Sequence, residues 1–473
     1  MKRRSLLMAP AALAAAVPVF AQSRTPRTTE SQAGTATGNE SFPAFDLRHY
    51  GADPSGAAAS DEALAAALRA CGSGGGRIRL PAGSYSFLRP INLSGMRSII
   101  IEGDAGTTAG AQAATRLIYQ GSGDGVFLSL NSAVGCQLRG LQISHSSPQF
   151  RGTYVKCSNT GSNDPAFCGL FDCVLGSAAN PTVTHVDLDK CIEFTAERCN
   201  FIAGNPSVRG RSSGAYSNAI RFRDCQWADS RAVPVLNGGQ SWTFEGCAFE
   251  GLHSGAAGAL YCADGSTAFN GLVITGCWFG DANAAGTWID ICGNGVFIAG
   301  NYFSGNARGP AAISLKKSVG VQVTGNLFDQ LLVGLDFAQA PCQDIVIQGN
   351  IASAVGSGFR NTENIPTGSF VWAPNYGFGE PGRAHQRLAT TGYVADAAAG
   401  VLRQWGTTPV PGGGSHRVEF PIKFPAECLN VVATLAGGSA SIVSVSALTA
   451  SSFDASVQGG SSGAVLSWQA LGR

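Results

Sequence analysis

Apolar residues in this chain follow a two-residue alternation that itself recurs about every 25 residues between positions 168 and 352. The unit reads apolar, any, apolar, any, Gly or polar, Cys or Asn, any, apolar. It stands as Ile220, Phe222, Cys225 and Trp227, then as Trp242, Phe244, Cys247 and Phe249, then as Leu272, Ile274, Cys277 and Phe279. Val296, Ile298, Asn301 and Phe303 follow, then Val321, Val323, Asn326 and Phe328, and a weaker copy closes at Asn350. Degenerate copies precede them at Cys173 and Cys199, so successive anchors differ by 26, 26, 22, 30, 24, 25 and 24 positions. A unit that alternates at period two cannot bury its apolar face alone, and stacking such units builds a β-solenoid.

Within each unit the apolar pair points inward and the residues between point out. The Gly before the anchor permits a corner that other side chains resist. Asn at the anchor can bond backbone groups along a stack, and Cys fills the same space as a small apolar body. Short strands joined by Gly- and Asn-rich corners predict an all-β right-handed parallel β-helix over residues 42–354. A propeller blade needs roughly 40 residues or more per repeat.

The flanks carry different patterns. Residues 1–21 read as a signal peptide: Lys2, Arg3 and Arg4 precede an apolar run ending near Ala21. The twin arginines resemble a twin-arginine export signal, and export by that or the general route predicts a periplasmic or secreted protein. The run is too short to span a membrane. Residues 22–41 are Ser-, Thr- and Gly-rich and read as a flexible linker. Ser60 is placed as the N-cap of a helix through Leu64, Ala67, Leu68 and Cys71, which Gly72 stops and which covers the open end of the solenoid. Residues 355–390 read as a connection, and alternating short runs over 391–473 predict a small C-terminal β-sandwich.

Composition narrows the class. The 63 glycines suit many tight corners, and 13% charged residues argue against disorder. Without the three basic residues of the leader, 29 basic and 31 acidic residues leave a net charge of −2, which gives no electrostatic case for nucleic acid. Export permits disulfides among the 14 cysteines. The five anchor cysteines run parallel up a stack and are expected as packed free thiols, whereas Cys157 with Cys168 is the best candidate bridge.

Residues 43–95 resemble the N-terminal region of the pectate-lyase superfamily of β-helices, which includes rhamnogalacturonase-like, epimerase-like and tailspike proteins. The resemblance rests on Tyr50-Gly51-Ala52-Asp53, an Ala-rich helix, Gly74-Gly75-Gly76 and Leu80-Pro81-Ala82-Gly83-Ser84-Tyr85. The Gly-Asp-Gly and Asp-Asp-Thr usual there are replaced by Asp53-Pro54-Ser55-Gly56 and Ala59-Ser60-Asp61. Together with the repeats this implies the fold over about 43–352. It does not deliver an activity, because the hydrolase and lyase signatures of the superfamily are absent. Residues 392–473, with Gly400 to Gly406, Val418 to Pro425 and Ser467 to Gly472, look like the C-terminal domain of phage tail fibres. That resemblance implies a trimeric, receptor-facing tip.

Candidate chemistry lies in outward columns, since equivalent positions on successive coils stack about 4.8 Å apart. Two residues before the anchors stand Glu197, Arg223 and Glu245, with Arg221 beside them. On the preceding strand stand Asp187, Tyr261, Asp290 and Asp336, with Lys316 two residues beyond Ser314. Carboxylates beside a cation can bind a uronate or act as an acid–base pair, and the same columns can be salt-bridge ladders on a solvated sheet. Trp278, one residue past its anchor, is expected to face outward as a sugar-stacking platform, and His185 is expected at the surface. Acids along a groove can hold Ca²⁺, but no fixed ligand spacing for a metal appears, and no cofactor is expected. Two readings stay open: an exported polysaccharide-binding lyase or glycoside hydrolase acting on an acidic glycan, and a non-catalytic homotrimeric tail-fibre-like receptor-binding protein.

Overall fold

The computed structural model describes residues 42–473 apart from 105–113, 160–164, 177–182, 212–216, 229–234, 237–238, 251–257, 262–268, 281–286, 306–310, 367–368, 373–374, 379–385, 388–389, 397–400, 437–441 and 460–462. The leader and linker expected over 1–41 lie outside the described residues.

Each coil contributes one strand to each of three parallel sheets, here called A, B and C. Sheet A has 13 strands, from Ala44–Asp46 to Phe370–Trp372; sheets B and C have 11 each. One coil runs Gly293–Ala299 in A, Tyr302–Ser304 in B and Ile313–Lys316 in C, and the next begins at Val319–Thr324. Val296 pairs with Val321 and Ile298 with Val323, so the repeated phrase superimposes on itself. The inward residues Phe222, Phe244, Ile274, Ile298, Val323 and Ile347 are all buried.

The corner before each anchor explains the recurring glycine. Gly246, Gly276, Gly300, Gly325 and Gly349 have φ between 62° and 65°, the left-handed region that L residues avoid. At Gly300 an added Cβ would meet nothing within 4 Å, so conformation rather than space favours glycine there. Asp172, Arg198 and Asp224 hold the same corner in earlier coils with φ of 54°, 50° and 52°.

The anchors form two ladders end to end. Cys173, Cys199, Cys225, Cys247 and Cys277 are buried free thiols that bond backbone carbonyls; Cys225 Sγ donates to Ala196 O and Arg223 O, both at 3.4 Å. Above them Asn326 Oδ1 accepts from Asn301 N at 2.9 Å and Nδ2 at 3.0 Å, while its own Nδ2 donates to Ile298 O at 3.0 Å. The Asn ladder continues through Asn350 to Asn375, one coil beyond the last repeat read from the sequence. Accordingly, Ser357–Arg360 pairs in sheet C and Phe370–Trp372 in sheet A, within the segment expected as a connection.

Aromatic rings fill the interior next to sheet B. Phe201, Trp227, Phe249, Phe279, Phe303 and Phe328 stack at centroid spacings of 4.9, 4.6, 4.7, 4.7 and 5.0 Å. His185 belongs to this stack, parallel to Tyr154 at 5.6 Å and fully buried, which corrects its expected surface position. Cys157 and Cys168 are likewise corrected: both are buried free thiols, as are ten others among the described residues, while Cys428 is free but only half-buried.

The helix Asp61–Cys71 buries Ala63, Leu64, Ala67 and Cys71. Ser60 makes no capping bond through its hydroxyl. The Asp61 carboxylate instead accepts the N–H groups of Leu88 at 3.1 Å and Arg89 at 2.8 Å, tying the helix start to the first coils. The C-terminal residues form a five-stranded and a three-stranded antiparallel sheet around Phe420, Phe424, Phe453, Leu466 and Trp468.

Candidate active site on the solenoid

Sheet A brings Glu197, Arg223 and Glu245 into one column on successive coils. The column is longer than the repeats indicate: Asp46, Arg79, Glu102, Arg139 and Phe171 precede them in register. Asp46, Arg79 and Glu102 lie before the repeat phrase becomes regular, which is why the sequence pattern missed them, whereas Arg139 and Phe171 hold the phrase position two before the anchor. Arg223 Nε lies 3.1 Å from Glu245 Oε2, with the two side chains 49% and 50% exposed. Glu197 pairs with Arg198 at the neighbouring corner, and Arg198 also holds Asp172 at 2.7 Å. The Arg139 guanidinium covers the Phe171 ring at 4.5 Å. Arg221 is exposed between Thr195 and Thr243. Charges that alternate in sign and stand in water neutralise one another at small net energy.

Sheet C places Asp187, Tyr261, Asp290, Ser314 and Asp336 in one column, with Lys156, Arg209, Val235 and Arg360 in the same register. Here the outer face is shielded. Asp187 is buried, and Asp290 and Lys316 are 14% and 17% exposed. Lys316 lies two residues beyond Ser314, the register partner of Asp290, and reaches back one coil diagonally, where Nζ donates to Asp290 Oδ2 at 2.7 Å. Asp290 Oδ1 is buried and has no hydrogen-bond partner among the described residues. Asp336 differs: Arg360 Nε donates to it at 3.0 Å and Asn361 Nδ2 at 2.7 Å. Arg360 and Asn361 escaped the sequence reading because their coil lacks the phrase. The Tyr261 side chain lies outside the described residues.

Trp278 stands on sheet B and joins neither acidic column. It follows Ala248 and precedes Tyr302, Leu327, Ile351 and Tyr376 in register. Its ring lies over Gly280, where an added Cβ would come within 2.2 Å. Among the described residues no group of three or more His, Cys, Asp or Glu is placed to hold a metal ion.

Burial separates the two columns. The same ion pair interacts more strongly where water is excluded, and Asp290 combines shielding, a cation on one oxygen and an unused lone pair on the other. Such a carboxylate can take a proton from a substrate carbon or from a water, the task of a general base.

Comparison with known proteins bears on fold. Residues 231–364 match the family model described as right handed beta helix region, and residues 397–473 match that of the putative tail fiber protein gp53-like, C-terminal. No curated protein matches the chain. A solved R2 pyocin fibre of P. aeruginosa is similar at 29% identity, over 19% of this chain and 25% of that chain, with a TM-score of 0.18. The chain thus spans a quarter of that fibre chain, and 36% of a second R2-type pyocin fibre. The A-module of a mannuronan C-5 epimerase from Azotobacter vinelandii is similar at 12% identity, over 71% of this chain and 98% of that chain, with a TM-score of 0.48. The Dettilon tailspike protein is similar at 10% identity, over 90% and 94%, with a TM-score of 0.44. With three parallel sheets before it and antiparallel sheets within it, the matched C-terminal segment completes the picture: the chain is a right-handed β-helix with a tail-fibre-like C-terminal domain.

Proposed function

We propose that the protein is exported, binds an acidic polysaccharide along the outer face of sheet C and cleaves it there. The Asp290 carboxylate accepts the proton. In a lyase it comes from the sugar carbon beside a uronate carboxyl, whose electron pair forms the C=C bond as the adjacent C–O bond breaks. In a hydrolase it comes from a water that adds to the anomeric carbon as the glycosidic C–O bond breaks. In either case the leaving oxygen takes a proton from solvent. Lys316 balances the Asp290 charge from the adjoining coil. Asp336, held by Arg360 and Asn361, presents fixed polar groups two rungs away, and Asp187 and Tyr261 extend the face. The observation that carries this reading is the shielded Asp290 carboxylate, with one oxygen on Lys316 and the other without a donor among the described residues. The sheet A residues Glu197, Arg221, Arg223 and Glu245 serve in this reading as a surface charge ladder.

The test is to incubate the protein with pectate, alginate and acidic bacterial polysaccharides, following unsaturated uronates by absorbance and new reducing ends. Release of product by the wild type and its loss in Asp290→Asn supports the reading; a folded wild type that releases nothing across the panel ends it.

A second reading, a non-catalytic homotrimeric receptor-binding protein, is favoured by the tail-fibre match and by exposed apolar residues of the C-terminal domain, Leu429, Val432 and Ile442. Light scattering separates the two: a monomer counts against it, and a trimer without product supports it.

A further inference from the structure

The five-stranded C-terminal sheet buries one face, with Leu402, Leu466, Trp468 and Ala470 in the core. Its other face holds a groove of about 500 Å³, lined by Arg403, Trp405, Asn430, Val432, Gln469 and Leu471 among others. That volume is in the range of roughly 300–1,000 Å³ typical of small-ligand sites. Pairing arranges these residues in two rows. Arg403 faces Leu471, which faces Asn430; Trp405 faces Gln469, which faces Val432. Gly392 stands opposite Trp405 on the other side and adds no side chain.

From this arrangement we infer that the groove is a second glycan site, taking one or two residues of an acidic saccharide. A sugar ring has an apolar C–H face and a rim of hydroxyls. Trp405 offers the flat apolar body, and the Asn430 and Gln469 amides donate and accept at the rim. Arg403 supplies the charge: among the described residues it makes no ion pair and no acid lines the groove. A guanidinium in that state fits a carboxylate through two parallel N–H bonds. A lone guanidinium set beside two amides and an indole is complementary to a uronate, and the groove is assigned to that ligand. This site rests on the acidic-glycan reading above but is separate from Asp290.

The experiment uses the full chain carrying Asp290→Asn, so that ligand is not consumed, titrated calorimetrically with oligogalacturonate, oligomannuronate and neutral malto-oligosaccharide. Binding of a uronate oligomer that weakens with salt, and that falls roughly tenfold or more in Trp405→Ala and in Arg403→Met, is the expected result. Arg403→Lys should keep part of the affinity, and Gln469→Ala tests the same face without loss of a ring. Unchanged affinity in correctly melting Trp405→Ala and Arg403→Met variants overturns the inference. So does a shift in sedimentation mass on substitution, which would make the groove a contact between copies. Wild-type product release alongside unchanged binding in the variants sinks this site alone. Binding lost at Trp405 with no product from the wild type keeps this site and removes the catalytic reading; no uronate bound at all removes both.

Discussion

Lys316 Nζ lies 2.7 Å from Asp290 Oδ2, although 26 residues of chain separate them. One coil of the solenoid closes that distance: Asp290 pairs with Ser314, and the lysine two residues on lies diagonally across from the acid. The pair lies in the shielded sheet C column, and its energetics can be measured.

Lys316→Met should leave a mostly buried carboxylate without its cation and destabilise the fold by roughly 1–3 kcal/mol. Adding Asp290→Asn should restore part of that loss, because the unpaired charge is gone. Urea unfolding of the two single variants and the double variant gives the coupling directly; a double variant as unstable as the sum of its parts contradicts the pairing.

On sheet A the opposite outcome is expected. Arg223→Ala and Glu245→Ala should each leave the melting temperature and any polysaccharide cleavage essentially unchanged, since the pair stands half in water. Loss of cleavage in either would move the site to this face.

Asn326→Ala should be costly. It strips the Asn301 backbone N–H and amide of their acceptor and leaves the Ile298 carbonyl without its donor, all in the interior. A loss of about 2–4 kcal/mol is expected from denaturant midpoints. Phe279→Ala, in the middle of the ring stack, should cost about 3–5 kcal/mol.

His185 links stability to pH. Burial pushes its pKa down to about 3 from an ordinary value near 6.5. The neutral ring is therefore the one the fold accepts, and its contribution is complete above pH 6.5 and lost as pH falls toward 3. Between those limits the slope due to this group is about 1.4 kcal/mol per pH unit. His185→Phe, which keeps a ring between Tyr154 and Phe201, should flatten the fall in unfolding free energy between pH 6.5 and 4. An unchanged profile would place the acid sensitivity in other groups.

What sequence alone determined here is what depends on local periodicity. Strand alternation and the glycine corners are properties of a few consecutive residues, so the repeat, the inward rings from Trp227 to Phe328 and the Cys-to-Asn anchor ladder were legible. Recurrence of the phrase also sets which residues stack, and Asp187, Tyr261, Asp290 and Asp336 do share a column. Burial was decided only in three dimensions. Glu245 and Asp290 look alike in sequence, yet one stands half in water and the other is shielded, because exposure depends on what packs around a side chain in the fold. The same holds for His185, which the turn of its coil puts inside the ring stack, and for Arg360, whose coil has lost the phrase but keeps the stack. Side-chain chemistry is written residue by residue, but the dielectric around a charge belongs to the folded assembly of coils.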